Sequence, residues 1–406
     1  MALDIGYVRS QFPALAGGFA FFDNAGGSQV LKSVADRVAD YLLTSSVQTG
    51  ATYPLSRLAT ERVATAREAV ARLVNAARPE EIVLGPNTTT MMRNLATAMA
   101  GRLRPGDEIV LTVFDHESNI GPWLTLADKG VTFKFWSLDP DTLEPDLEEL
   151  GRLMSPRTRL VAVTHTSNIL GTIMPIAEIA RFVHERGAEI AVDAVAYAPH
   201  RAVDVQALDV DYYAFSFYKT YGPHFAVLYG KYDKLLELDG LYHYFYGKDR
   251  VPAKLEPGNT NYELAWGVVG IVDYLEALGG GGGRPAIERA FADIAAHEAV
   301  IGERLLAYLR DRNDLRVIGR PDADARHRVP TISFKLTGRE AESVVAAVDA
   351  AEVGMRHGDF HSRRLVEHLG LDRAGGVCRV SMVHYNTVEE VDRLVRALDE
   401  ALARNP

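Results

Sequence analysis

Between residues 80 and 232 the chain alternates short apolar runs with longer amphipathic ones. The runs fall at 81–84, 108–112, 132–136, 159–164, 189–193, 212–216 and 225–229. Strands alternating with helices predict βαβ units and a mostly parallel sheet. Covering helices are expected over 56–75, where Ala59, Val63, Ala66, Val70 and Leu73 recur at helical spacing, and over 175–187. After Leu278 come five consecutive glycines, Gly279 to Gly283, which read as a flexible link. They are no phosphate loop, because no Gly-Lys-Ser/Thr follows. Beyond them the rhythm changes to a long helix over 285–312, strands near 315–318, 331–336 and 378–382, and helices around 340–350 and 387–404. The predicted fold class is therefore α/β: a large domain over 20–265 with a mostly parallel sheet flanked by helices, and a smaller α+β domain from 1–19 and 284–406. Residues 266–283 are expected to form a connecting helix and the glycine-rich link.

Composition narrows the classes without choosing among them. The 406 residues are 47% hydrophobic and 24% charged, which is ordinary for a globular protein. A formal charge of −10 with no Lys/Arg cluster argues against nucleic acid as a partner. With no run of about twenty apolar residues and no signal-like start, neither a membrane nor export is expected, and the cytoplasm is the expected location. The one cysteine, Cys378, excludes an internal disulfide and a cysteine-based zinc cluster. His357 and His361 have a suggestive spacing, but a third ligand is not evident and no metal is expected.

In an open parallel sheet, ligands bind beyond the carboxyl ends of the strands, so the polar residues there are the informative ones. Leu84 leads into Gly85-Pro86-Asn87-Thr88-Thr89-Thr90 and a helix, an arrangement of free N–H groups and hydroxyls that suits a phosphate and also suits a plain helix cap. Val113 leads into Asp115-His116-Glu117-Ser118-Asn119, and a further strand into Thr164-His165-Thr166-Ser167-Asn168. Asp193 closes the apolar run Ile190-Ala191-Val192, where a carboxylate is costly to bury without a cation or donor; a protonated pyridine nitrogen is one such partner. Lys219 follows the run ending at Ser216, and a desolvated lysine is a nucleophile toward an aldehyde.

These spaced motifs, from Phe21-Phe22-Asp23-Asn24-Ala25-Gly26 to Arg379-Val380-Ser381-Met382-Val383-His384-Tyr385-Asn386-Thr387, resemble the class V aminotransferase family, and within it the cysteine desulfurases and selenocysteine lyases. The resemblance implies an aspartate aminotransferase-like fold and a pyridoxal-phosphate cofactor carried as a Schiff base on Lys219. By the same resemblance Asp193 partners the pyridine nitrogen, His116 stacks on the ring and Asn168 reaches the phenolic oxygen. Thr88, Thr89, Thr90, Ser216 and Tyr218 surround the phosphate, while Arg379, Arg356 and Asn24 meet the amino-acid substrate. The family forms dimers in which a loop completes the partner's phosphate site. Here that loop reads Glu256-Pro257-Gly258-Asn259-Thr260-Asn261, with Asn259 or Thr260 as the contact, so a homodimer is expected. The aromatic stretch 242–246 is expected in the core or at the dimer contact. Two positions depart from the family pattern: Tyr218 stands where histidine is usual, and Ala196 where glutamine is.

Desulfurases also carry a cysteine on a loop before the carboxylate-binding arginine. In this chain the region reads Met355-Arg356-His357-Gly358-Asp359-Phe360-His361-Ser362-Arg363, without a thiol. Cys378 directly precedes Arg379 in a predicted strand, so the two side chains should point to opposite faces. The expected activity is a C–S lyase acting by β-elimination on a sulfur-containing or related amino acid, to pyruvate and ammonia. Transamination and epimerisation on the same scaffold are the alternatives, and a pyridoxal-phosphate-binding scaffold protein is the non-enzymatic one.

Overall fold

The structure, a computed structural model, describes residues 3–371 and 375–403. Strand β1 (Ala20–Phe21) precedes the seven strands of the large sheet: β2 (Ile82–Gly85), β3 (Glu108–Thr112), β4 (Thr132–Trp136), β5 (Thr158–Thr164), β6 (Glu189–Asp193), β7 (Tyr212–Ser216) and β8 (Ala226–Gly230). Their order is β2-β8-β7-β6-β5-β3-β4. The pairs among β3 to β7 are parallel, and β8 runs antiparallel to both β2 and β7.

Both faces of this sheet are covered, which is why its strands read as continuous apolar runs rather than alternating ones. Leu84, Val110, Val161 and Val163 pack on one side with helices Pro54–Val74, Ile176–His184 and Tyr262–Leu278. Val83, Leu111 and Ala162 pack on the other with Met91, Met92 and Leu95 of helix Thr88–Met99. The carboxyl ends of β5, β6 and β7 lie side by side, so the loops after them share one crevice.

The second core is built on β9 (Leu315–Ile318), β10 (Thr331–Leu336), β12 (Arg356–Gly358) and β13 (Val377–Ser381), in the antiparallel order β12-β13-β10-β9. Strand β1 pairs in parallel with β11 (Val353–Gly354) beside it. Helix Arg284–Arg310 serves both cores: Ile287, Phe291 and Ile294 enter the first, while Ile301, Leu305 and Leu309 enter the second.

Two details differ from the sequence-based division. Residues 1–19, expected with the smaller domain, send Val8, Phe12 and Leu15 into the core of the large sheet, whereas Ala20 and Phe22 enter the smaller core. The five glycines are no free link either. They close a tight turn between two long helices, where a Cβ on Gly279 would lie 1.9 Å from the Ala286 carbonyl oxygen and where Gly280 and Gly283 have φ of +71° and +75°. Helix Tyr262–Leu278 belongs to the large core through Val268, Ile271 and Leu275. Among the described residues, no helix is long and apolar enough to cross a membrane.

Candidate active site

Asp193 ends β6 and is buried. Its carboxylate accepts from the Ser118 hydroxyl at 3.0 Å and from the Val195 N–H at 3.0 Å. Burial pushes its pKa up, opposed by those two donors and by Lys219. The same Ser118 donates its backbone N–H to His116 Nδ1 at 3.0 Å, which leaves the proton of the neutral ring on Nε2. Burial, Lys219, His361 and Arg379 all disfavour a charge on His116, whose pKa is pushed down to about 3. The ring is therefore an uncharged surface at neutral pH.

Lys219 follows β7 on a single 3₁₀ turn, because the chain must reverse there to enter β8. Its pKa is lowered to about 8, mainly by burial and also by Arg379, against the opposing pull of Asp193 and Asp23. Nearby, Asn87 caps helix Thr88–Met99 by accepting from the Thr90 N–H at 2.8 Å. Thr88 is tied to Ser216, its hydroxyl at 2.6 Å and its N–H at 3.0 Å from Ser216 Oγ. A helix N-terminus and the end of β7 thus meet at one anion-favouring corner. Thr88, Thr89, His116, Asn168, Asp193, Ser216, Tyr218 and Lys219 all line this one cleft.

An adjoining cavity shares His116, Asn168, Tyr218 and Lys219 and adds Arg356 and Arg379. Arg379 is only 2% exposed, yet its guanidinium is well surrounded. It donates to Asp23 Oδ1 at 3.0 Å and to the Asn168 carbonyl at 3.2 Å, and it lies 3.6 Å over the Phe360 ring. Its Nε has no partner among the described residues. Burial pulls its pKa down to about 10, which still leaves it charged at neutral pH. Arg356 is directly opposite Arg379 across β12 and β13, and residues so paired project to the same face. Asp23, 3.5 Å from Arg356 Nη1, sits between the two like charges.

Some expected residues take other roles. Asn24 is absent from the lining of both cavities: its amide donates to the Phe21 and Ser381 carbonyls and to Asn386 Oδ1, and it accepts from the Tyr385 hydroxyl. It straps β1 to β13, which leaves it no group to offer a substrate. Thr90 does not line the cleft, and its N–H is taken by the Asn87 cap. Asn168 does line it, but its side-chain amide donates to the Phe360 carbonyl at 3.0 Å and accepts from the Ser362 hydroxyl at 2.7 Å. Asn259 and Thr260 lie outside both cavities of their own chain.

Cys378 faces away from Arg379, as strand alternation requires. Its thiol is in the smaller core, 3.9 Å from the Ala341 carbonyl, and burial pushes its pKa up to about 12. The residues that sequence reasoning left without a role are Ser118, Asp23 and Phe360. Ser118 was signalled by lying two residues after His116, the reach of a side chain that folds back on its own turn. Asp23 and Phe360 carried no local signal, since each meets Arg379 only through the tertiary fold.

The fold and this donor set define a pyridoxal-phosphate enzyme. A buried carboxylate stands beside a neutral imidazole, a buried amine of lowered pKa and an anion-favouring helix start, and these groups fit that cofactor's ring nitrogen, ring face, aldehyde and phosphate. Residues 20–394 match the aminotransferase class-V family, and the chain belongs to it, a family whose members depend on pyridoxal phosphate. It is 46% identical over 404 residues to the aminotransferase-like protein FGM3 of Gibberella zeae, covering 97% of this chain and 98% of that one. It is 35% identical to the cysteine desulfurase-like protein ustD of Aspergillus flavus, covering 99% and 92%. A solved cysteine desulfurase from Thermococcus onnurineus NA1 superposes with a TM-score of 0.88 at 26% identity, over 98% of both chains.

Proposed function

We propose that this enzyme is a C–S lyase that removes a β-thiolate from an amino acid without an enzymatic persulfide. The observation that carries the reading is the orientation of β13: Arg379 faces the cleft, and the one cysteine of the chain, Cys378, faces the opposite core. A persulfide route needs an accessible thiolate, and a thiol whose pKa is pushed up to about 12 inside a strand is neither ionised nor mobile.

When bound, pyridoxal phosphate supplies an electron sink for the pair left at Cα. Lys219 would be the covalent attachment point, and its Nζ is the base placed to take the Cα proton. Asp193 holds a proton on the pyridine nitrogen, aligned by Ser118 and the Val195 N–H. His116 covers one ring face. Thr88, Thr89 and Ser216 hold the phosphate at the helix N-terminus. Arg379 binds the substrate carboxylate as a planar fork, with its free Nε as one donor. Two chains pair so that Asn259 or Thr260 reaches the partner's phosphate.

The test is to incubate the holoenzyme with L-cysteine and S-substituted cysteines and to measure pyruvate and ammonia in wild type and Cys378→Ala. Equal turnover in both, with no added sulfur on Cys378 by mass spectrometry, is expected. A stoichiometric persulfide on Cys378 together with loss of activity in the variant would overturn the reading. A keto acid that retains the β-substituent would redirect it to transamination.

A further inference from the structure

The turn over 359–362 closes one side of the substrate cavity, and its backbone has a conformation its residues do not favour. Phe360 and His361 are consecutive residues with φ of +51° and +60°, the left-handed region that bulky side chains rarely occupy. The turn holds because it is tied down at every residue. Asn168 donates to the Phe360 carbonyl, the Glu117 N–H donates to the His361 carbonyl at 2.8 Å, and the Ser362 hydroxyl donates to Asn168. The His361 N–H is satisfied by Asp359 Oδ1 at 3.0 Å. A turn needed only for shape is easier to build from glycine or asparagine. Here the two side chains it presents are used: Phe360 packs under the Arg379 guanidinium, and the His361 ring lies 5.3 Å from the His116 ring on the wall of the same cavity.

His361 lines that cavity with Lys219 and Arg379. An amino acid gripped at its carboxylate by Arg379, with Cα presented to Lys219, would have the shared wall of His116 and His361 beside it for its β-substituent. His116 has Nδ1 occupied by Ser118 and burial disfavours its charged form, so it is a poor proton donor there. Among the described residues His361 makes no side-chain hydrogen bond, and an imidazole within reach of a reacting atom is a common general acid.

We infer that His361 is the proton donor to the departing β-substituent. The inference rests on the elimination reading above. In the step, the Cα–H bond gives its proton to Lys219 Nζ and its electron pair to a new Cα–Cβ π bond. The Cβ–S bond breaks with both electrons on sulfur, and sulfur takes a ring proton of His361 to leave as a neutral thiol. The imidazole then regains a proton from solvent.

The variant to test is His361→Asn, since asparagine tolerates the left-handed backbone and preserves the turn. Wild type and variant holoenzyme are compared on S-methylcysteine, whose thiolate is a basic leaving group, and on β-chloroalanine, whose chloride needs no proton. The ratio of kcat/KM for the two substrates should fall about 10²-fold in the variant, the usual contribution of a general acid. A second readout does not depend on turnover: carbethoxylation of His361, followed by mass spectrometry, should be slowed by S-methylcysteine and not by alanine. Equal falls on both substrates, or equal protection by alanine, would remove His361 from the mechanism while elimination itself stood. If wild type eliminated neither substrate, the elimination reading would fail and this assignment with it.

Discussion

Lys219 is buried where its charge is poorly solvated, and that has two consequences that both grow with pH, over different ranges. Its pKa of about 8 gives far more free amine at neutral pH than the ordinary 10.5. Recombination of cofactor-free enzyme with pyridoxal phosphate should therefore speed up with pH to about 8 and then level off, followed by the borohydride-fixed mass adduct on Lys219. In the absence of cofactor, however, the folded chain loses this proton near pH 8, whereas the unfolded chain keeps it to about 10.5. Stability from this group thus rises as pH climbs between those values. Lys219→Met should raise the Tm of the cofactor-free protein at pH 7, and the gain should vanish above about pH 10.5. Arg379 is the second residue where one change is decisive. Arg379→Ala removes one partner of a buried charge-assisted pair, an effect of about 2–5 kcal/mol. Substrate affinity should weaken accordingly while cofactor absorbance persists; unchanged affinity would reassign the carboxylate site.

At the scale of elements, the site is made where a loop of the large sheet meets the smaller sheet. The loop after β5 carries Asn168 and then Gly171, whose carbonyl accepts from the Val329 N–H at 2.9 Å just before β10. Gly171 has φ of +71°, and a Cβ there would lie 2.3 Å from the Thr331 carbonyl oxygen. Gly171→Ala is consequently expected to destabilise the fold by more than about 1 kcal/mol, through both the backbone and the contact. It should also weaken substrate binding more than cofactor binding, because it displaces β10 and with it β13 and Arg379. A denaturation midpoint together with separate titrations of cofactor and amino acid checks both parts.

For the whole molecule, the surface that bears on assembly is an exposed aromatic stretch beside a hydroxyl unpartnered among the described residues. Tyr244 is 98% exposed and Phe245 65%, so the stretch 242–246 lies outside the core. Thr260 has a buried hydroxyl with no partner among the described residues. Tyr242, from the aromatic stretch, donates to Asn259 at 3.1 Å, which joins the two features into one surface. A homodimer is expected by sedimentation, and Thr260→Val should lower cofactor retention without dissociating it. A monomer with full cofactor occupancy would contradict the pairing.

The strands and most helices were legible from the chain because burial on both faces of a parallel sheet writes continuous apolar runs, and the residues that end those runs fall at the crevice. Lys219, Asp193, His116 and the start of helix Thr88–Met99 could be found that way. The side of β13 to which Cys378 turns was legible too, since alternation along a strand is local geometry. What local pattern could not convey was anything resting on contacts between distant segments. Asn24 was read as a substrate contact because it sits in a motif, yet packing of β1 against β13 consumes its hydrogen bonds. The glycine run read as a link because composition records flexibility but not the approach of two helices. Asp23 between two arginines and His361 beside His116 are more than 240 residues from their partners, and Phe360 meets Arg379 only because β12 and β13 pair. Only the fold brings them together, because a charge or ring acquires its partners from three-dimensional proximity that spacing along the chain does not record.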